Sequence, residues 1–340
     1  MEHLAIDLGG RESQICIRSS DGSVVKEERR STRSLRAFLR RQPPSRVVLE
    51  TCAEAFKVAD AALEAGHQVR VVPATLVRAL GVGARRTKTD RRDAQVLSEV
   101  SCRIDLPSVH IPSGPARRRK AMCAMREALV RSRTLLINTV RGWLRTEGMH
   151  LGTGGVGTFT MRVRRQQASL QGTALPAFVE RQLRMIDGLS KEIDQADQEL
   201  EEAATQDPIC RRLMGVPGVG PVTAVRFVSA VDQVERFPSA HQLESYLGLV
   251  PGEDSSSERQ RRTGITKAGS ATVRWALVQA AWAARRCKRR GPLQCWADEV
   301  EKRRGKRIAV VALARKLAGV MYAMWRDGTS YDETRGAVGA

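Results

Sequence analysis

The amino-acid sequence predicts an α/β domain followed by a mainly helical remainder. Three observations carry that expectation. Short apolar runs separated by turn signals fill the first hundred residues, with amphipathic helical stretches among them. Beyond residue 116 the apolar residues recur at helical spacing, twice as heptad stripes. Two proline-marked joints, Pro107 to Pro115 and Asp207-Pro208, interrupt the pattern. They divide the chain into residues 1–110, 111–206 and 207–330, with a tail over 331–340.

His3–Leu8 has the pattern of a buried strand with one polar intruder, Asp7, and Gly9-Gly10 turn the chain. Ser13–Arg18 alternates, with Ile15 and Ile17 against Gln14 and Cys16, and Asp21-Gly22 is a hairpin turn into Ser23–Lys26. Three antiparallel strands result. Ser34–Arg41 is a short helix. Arg46–Glu50 is a buried strand ending in a carboxylate. Ala53–Ala65 is an amphipathic helix closed by Gly66, and Gln68–Val72 is a strand stopped by Pro73. Ala74–Leu80 is helical, and Gly81-Val-Gly83 opens a basic loop (Arg85, Arg86, Lys88) into an apolar-periodic run from Asp90. Hairpin strands followed by alternating helix and strand form the element order of an RNase H-like domain.

Asp90 and Asp93 stand three apart at the head of Ala94, Val96, Leu97 and Val100, close to one helical turn, so both carboxylates point the same way. The plain reading is an acidic first turn that complements the helix dipole. Asp7 and Glu50 weigh against it. A carboxylate in or at the end of an apolar strand is costly without a partner, and these two strand ends would lie side by side at one sheet edge. With the helix from Asp90 across that edge, Asp7, Glu50, Asp90 and Asp93 are an oxygen ligand set for two-metal phosphoryl transfer, for which Mg²⁺ is the fitting ion. The surrounding basic residues, including Arg91 and Arg92, suit a phosphate as the further ligand.

The charge balance points the same way. Lys and Arg number 57 against 37 Asp and Glu, a net charge of +20. That excess implies a polyanionic partner, nucleic acid above all. Aromatic residues make up only 4%, so salt-sensitive phosphate contacts, not base stacking, are expected to carry affinity. None of the seven cysteines forms a CxxC pair, which weighs against a zinc ribbon and leaves reduced core thiols as the expectation. The N-terminus lacks a signal-peptide pattern, and no apolar stretch reads as long enough to span a bilayer. The expected location is the cytoplasm, with nucleic acid and no membrane partner.

Ala116–Glu147 reads as a long helix in which Met122, Leu129, Leu136 and Trp143 recur every seven residues as a pairing seam. Arg117, Arg118, Arg119 and five further arginines crowd its other positions. A solvated face would explain them, but charge so one-sided favours nucleic-acid contact. Gly148–Gly157 is a Gly-rich loop. Leu183, Ile186, Ile193, Ala196 and Leu200 form a second stripe, acidic toward its end. The two helices can pair as an antiparallel coiled coil within or between chains, and these stripes are the ground for expecting a homo-oligomer, a dimer or tetramer. Leu213–Phe227 resembles a helix-hairpin-helix: Gly218 and Gly220 permit a tight turn whose amides can face a phosphate, unless it is an ordinary helical hairpin. After a helix over Ser239–Tyr246 comes a polar stretch with Ser255, Ser256 and Ser257 beside Arg259, Arg261, Arg262 and Lys267; composition alone makes it a surface loop. Ala271–Ala284 is a helix whose Trp275 and Trp282 suit core packing, and Ile308–Trp325 is a last amphipathic helix.

Six short segments now stand in order: Ala5-Ile-Asp-Leu8, Leu49-Glu-Thr51, Lys88-Thr-Asp-Arg-Arg-Asp-Ala94, Pro217-Gly-Val-Gly220, Tyr246-Leu-Gly-Leu-Val-Pro251, and Ile265-Thr-Lys-Ala-Gly269 followed by Arg274-Trp-Ala-Leu277. Through them the chain resembles, over nearly its whole length, the DEDD transposases of the IS110 insertion-sequence family, described as bridge-RNA-guided recombinases. The resemblance implies a RuvC-like N-terminal domain, a helical coiled-coil insertion and a mainly helical C-terminal transposase domain. It implies Mg²⁺ held by Asp7, Glu50, Asp90 and Asp93, with donor DNA, target DNA and a bridge RNA as partners. It also implies a serine, shortly after the Leu-Val-Pro turn, that attacks DNA and becomes linked to it. Spacing from both Pro251 and Lys267 assigns that role to Ser256. The family usually has Gly directly after this serine and this chain has Ser257, which leaves the register among Ser255, Ser256 and Ser257 open.

A serine hydroxyl needs activation. A carboxylate-held metal that polarises the phosphate would provide it, and Arg259, Arg261 and Arg262 would offset charge growing on the phosphoryl oxygens. Two other readings use the same residues: a junction-resolving nuclease that attacks with water, and a non-catalytic nucleic-acid-binding protein.

Overall fold

Leu4, Ala5 and Ile6 are fully buried in the first strand, β1 (His3–Asp7), because the sheet it belongs to is covered on both faces. In the computed structural model, residues 1–79, 90–171, 174–253, 262–288 and 290–333 are described. β1 pairs antiparallel with β2 (Glu12–Arg18), and β2 with β3 (Val24–Ser31). After α1 (Leu35–Leu39), β4 (Arg46–Glu50) lies parallel to β1; α2 (Ala55–Glu64) then leads to β5 (Gln68–Val72), parallel to β4. The five-stranded sheet therefore has the order β3-β2-β1-β4-β5. α3 (Ala74–Ala79) and α4 (Asp90–Arg103) follow, within a compact unit that spans Met1–Pro112.

Strand side chains alternate between faces. Leu4, Ile6, Val47, Leu49 and Val71 pack with Phe38, Leu39 and Ala59 of α1 and α2. Ala5, Val48 and Val72 pack on the other face with Val77 of α3 and Leu97 of α4. Double coverage is why the central strands read as unbroken apolar runs. β3 extends to Ser31 instead of ending at Lys26. As an edge strand with exposed residues it accommodates the charged Glu27–Arg30 segment.

The second unit, Ser113–Ala340, opens with α5 (Gly114–Thr146). Ser113 caps it, accepting from the Ala116 amide, and is itself held by Asp232, to which its hydroxyl donates at 2.6 Å. α6 (Phe159–Gln171) and α7 (Ala177–Gln206) follow. α5 and α7 run antiparallel within the one chain: Arg119 bonds Asp207, Arg126 Nη2 donates to Asp197 Oδ2 at 3.0 Å, and Arg133 Nη1 donates to Ser190 Oγ at 3.3 Å. The buried column on α5 is Ala116, Cys123, Ile137 and Leu144. The expected seam of Met122, Leu129, Leu136 and Trp143 lies one residue to the side and is half-buried. The heptad stripes thus serve an intrachain pair, which removes them as the ground for an oligomer. α6 goes unannounced in the sequence because its buried anchors are few; Phe159 and Val163 stand one turn apart, and Thr160 Oγ1 donates to Asp187 of α7 at 2.6 Å.

The chain continues through α8 (Pro208–Leu213), α9 (Pro221–Val231), α10 (Ala240–Tyr246), the short strands β6 (Pro251–Glu253) and β7 (Arg262–Ile265), α11 (Ala271–Arg286), α12 (Pro292–Arg304) and α13 (Lys306–Asp327). α9 is central: every residue from Thr223 to Val228 is buried, including Arg226 at 3% exposure. Arg226 donates to Glu127 Oε2 of α5 at 2.8 Å and to the Thr272 carbonyl of α11 at 3.3 Å. Burial pushes the Glu127 carboxyl up, but hydrogen bonds from Arg226 and Arg131 outweigh it and hold the group below the usual carboxylate range.

Three expectations are corrected here. Trp275 is 55% exposed, with the Arg226 guanidinium 5.9 Å from its ring centroid, so only Trp282 packs against the core. Cys52, Cys287 and Cys295 are exposed, while Cys16, Cys123 and Cys210 are buried as expected. Among the described residues one helix, α13, is long and apolar enough to cross a membrane by length and composition. Its apolarity is that of a core helix: Leu313, Leu317 and Met321 are fully buried in the same apolar cluster as α9.

Candidate active site

Asp7 ends β1 and Glu50 ends β4, and the parallel register pairs Ile6 with Leu49, so the two carboxylates follow side by side. Two-residue alternation puts Asp7 on the face of His3 and Ala5, and Glu50 on the face of Val48. That is the face α4 covers. Ser101 Oγ of α4 is 2.8 Å from His3 Nδ1, and Leu97 shares an apolar cluster with Ala5. Four helical residues and two strand residues each advance about 6 Å, so α4 runs antiparallel to β1 in matched steps. The next step brings Asp93 level with Asp7. Asp93 is only 7% exposed, and Asp90 begins the helix one turn beyond. The structure thus brings Asp7, Glu50 and Asp93 to one end of one sheet face; the Asp90 side chain lies outside the described residues.

Each strand end is tied down by a threonine. Thr32 Oγ1 donates to the Gly9 carbonyl at 2.6 Å, just after Asp7. A Cβ at Gly9 would meet the Glu12 carbonyl at 2.3 Å, so the turn behind Asp7 has no room for a side chain. Thr51, next to Glu50, donates its amide to the Val72 carbonyl at 3.0 Å and accepts from the Ala74 amide through Oγ1 at 3.0 Å. The segment Leu49-Glu-Thr51 held that signal. On β3, Glu27 accepts from Arg91 Nε at 2.7 Å and from Gln95. The Gln95 bond first, and then Arg91, hold its carboxyl below the usual range, and Arg91 is thereby turned to a carboxylate, not left for a phosphate.

An all-oxygen donor set suits a hard divalent cation. Among the described residues no three His, Cys, Asp or Glu side chains lie close enough to hold a metal ion by themselves. The fit therefore rests on the chemistry of the donors and the shared strand-end level.

In the second unit, β6 and β7 bracket residues 254–261. Ser255, Ser256, Ser257, Arg259 and Arg261 fall there, outside the described residues, as do Arg85, Arg86, Lys88 and the side chain of Arg262. The base of the hairpin is described. Thr266 N donates to the Val250 carbonyl at 3.0 Å and Lys267 N to the Gly248 carbonyl at 3.1 Å. Gly248 (φ +69°) and Gly269 (φ +69°) sit where a Cβ would meet Ala268 O at 2.2 Å and Tyr246 O at 2.0 Å. Two separate segments of the sequence are thus one backbone crossing. Lys267 itself is exposed, with φ at 56°.

The other expected contacts divide. Arg118 is exposed, whereas Arg119 bonds Asp207, whose Oδ1 caps α8 by accepting from the Ile209 and Cys210 amides at 2.8 and 2.9 Å. Arg117 is half-buried. Gly218 (φ +83°) has its glycine requirement from packing, since a Cβ there would meet the Ala280 carbonyl of α11 at 2.2 Å. Gly220 caps α9 with open space around it.

Comparison with known proteins defines the class. A DEDD transposase model matches residues 4–148, from β1 through α5, and a second model, described as Transposase IS116/IS110/IS902 family, matches residues 210–294, which include the hairpin and α11. The chain is 28% identical over 337 residues to a probable family 20 transposase of Pseudomonas aeruginosa, covering 97% of this chain and 98% of that one. It is 27% identical to the transposase for insertion sequence element IS1328 of Yersinia enterocolitica, over 97% and 98% of the two chains. With a putative transposase of Sinorhizobium fredii, y4qE, identity is 32% over 292 residues, 77% of this chain and 70% of the relative. The protein is a transposase, an enzyme of DNA cleavage and strand transfer. It belongs to the IS110/IS116/IS902 family of insertion-sequence transposases.

Proposed function

We propose that this transposase cuts and rejoins DNA through a phosphoserine at Ser256, on a RuvC-like carboxylate site, with a structured bridge RNA that supplies sequence choice. What supports the carboxylate part best is that β1 and β4 pair in parallel and end in Asp7 and Glu50 on the face α4 covers, with Asp93 buried in the first turn of that helix. Asp7, Glu50, Asp90 and Asp93 would hold divalent cations, Mg²⁺ by donor type. A bound cation supplies Lewis-acid polarisation of the scissile phosphate. The chain supplies the rest. The Ser256 hydroxyl loses its proton and forms the O–P bond, while the bond from phosphorus to one deoxyribose oxygen breaks and that oxygen takes a proton. Attack by a deoxyribose hydroxyl on the phosphoserine reverses the step and frees the serine, so the phosphodiester count is conserved and no ATP is needed. Arg259, Arg261, Arg262 and Lys267 neutralise phosphate charge around the serine.

The reading of RNA guidance rests on composition: a net charge of +20 without a zinc finger or basic zipper to read bases. Donor and target DNA are then held through their phosphates, with Arg118 among the contacts, at the nucleoid. A homo-oligomer, dimer or tetramer, would let two such sites act on two DNA strands.

The test is a suicide DNA substrate with a nick beside the scissile phosphate, followed by protease digestion and mass mapping of the DNA-linked peptide. The expected adduct is on Ser256, and Ser256→Ala removes it while DNA binding persists. An adduct on Ser255 or Ser257 moves the register by one. Metal-dependent cutting without any adduct makes the protein a water-using nuclease of the resolvase kind. Sequencing of nucleic acid that co-purifies with the protein tests the guide: a discrete structured RNA is expected, and sequence-specific recombination by RNA-free protein refutes it.

A further inference from the structure

Arg274 sits in the first turn of α11, between Val273 and Leu277, both buried in the main apolar cluster. Its side chain leaves that rigid mount and reaches the hairpin base. Nη1 lies 3.2 Å from the Leu247 carbonyl, 2.5 Å from the Ala268 carbonyl and 3.1 Å from the Gly269 carbonyl. Three carbonyl dipoles from the two chain segments that flank β6 and β7 thus converge on one cationic nitrogen. The glycines at 248 and 269 are what let the carbonyls come so close, since a Cβ at either would strike the opposite backbone. Leu247 and Leu249, each 1% exposed, anchor one segment in the core. The other segment, 265–269, touches that cluster only through half-buried Ile265, and residues 266–269 are exposed.

We infer that Arg274 is a positioning residue for strand cleavage: it locks segment 265–269 to segment 247–250 and so sets the direction in which the β6–β7 hairpin leaves the helical unit. The inference rests on the reading of Ser256, which falls between β6 and β7, as the nucleophile. A charged donor is suited to this task. It satisfies several carbonyls that have no side-chain identity of their own, and charge-assisted hydrogen bonds are about twice as strong as neutral ones. Methionine keeps much of the unbranched stem without donating. Lysine keeps the charge and puts three donors on one nitrogen at the end of a somewhat shorter, flexible stem, so it can still bond the nearest of these carbonyls.

The experiment compares full-length Arg274→Met and Arg274→Lys with the unaltered protein. It measures the single-turnover rate of strand cleavage, the yield of protein–DNA adduct, the Kd for the same DNA, and the melting temperature. Misplacement of a reacting group by about 1 Å costs on the order of a hundredfold in rate. The expected result is a cleavage rate about a hundredfold lower in Arg274→Met, with Kd changed less than about threefold. Arg274→Lys, folded like the parent, is expected to recover most of the rate. Equal cleavage rates in Arg274→Met and the parent overturn the inference. So does a parallel loss of rate and DNA affinity in both variants, which marks a general structural role. If the unaltered protein cuts DNA without forming an adduct, the serine reading fails separately, and the cleavage rates still decide whether Arg274 positions the hairpin.

Discussion

At the sheet edge, Asp7 and Glu50 are carried by strands that pair over five and four registered positions with their neighbours and are buried on both faces. At the base of the β6–β7 hairpin the pairing is short, with β6 only three residues long, and the work is done by close backbone crossing and a guanidinium. The first device fixes side chains through regular main-chain ladders; the second fixes a main chain through one side chain. The metal ligation proposed for these carboxylates would need the former, because several oxygens must keep fixed relative positions whatever is bound. A hairpin stem needs only its direction set. The contrast predicts that damage at the sheet edge acts on chemistry with little change in stability, while damage at the hairpin base acts on both.

The largest expected effect is at the carboxylates. Asp7→Asn, Glu50→Gln, Asp90→Asn and Asp93→Asn should each lower divalent-metal-dependent cleavage by at least about a hundredfold, and in the first two, at half-exposed strand ends, the melting temperature should barely move. Retained cleavage in any two of the four, read on denaturing gels, would break the comparison at its first half. Next comes Gly248→Ala, which sets a Cβ against Ala268 O in a left-handed conformation and should cost about 2 kcal/mol in a urea titration. Gly220→Ala, in open space, is its control and should stay within about 0.5 kcal/mol.

The arginines of α5 sharpen the picture at a smaller scale. Arg119→Ala removes the partner of Asp207 and should lose about 1.5 kcal/mol of stability. Arg118→Ala should leave stability alone and lower the salt slope of DNA binding by about one. If both variants change only the salt slope, the Arg119–Asp207 bond has no structural role. The smallest effect concerns the thiols. Burial pushes Cys210 to about 12, so a maleimide at neutral pH should label Cys52, Cys287 and Cys295 and spare Cys210 in the native protein.

Much of the sheet was legible because its signals are local. Arg46–Glu50 and Gln68–Val72 are bounded as the apolar runs suggest, and both strand-end carboxylates stand out as polar residues in apolar company. What the sequence concealed depended on partners. The α5 seam lies one column away from the bulkier Met122, Leu129, Leu136 and Trp143, because α7 decides which face is covered. Gly218 looked like a phosphate turn, and its cause is the α11 backbone. Arg274 was visible only as part of a motif, since the carbonyls it binds leave no trace in residue identity. Thr32 was hidden for the same reason.

Arg226 has a consequence for how the second unit comes apart. Its charge sits in the central helix α9 and is answered from α5 by Glu127, so α5 cannot peel away without stranding an ion in the core. Breaking such a pair costs about 3–5 kcal/mol, more than a fraying helix end can supply. The long α5–α7 hairpin and the helices around α9 are therefore one cooperative melting block, and Ser113–Ala340 should give a single calorimetric endotherm, one that splits into two when Arg226→Met uncouples the arm.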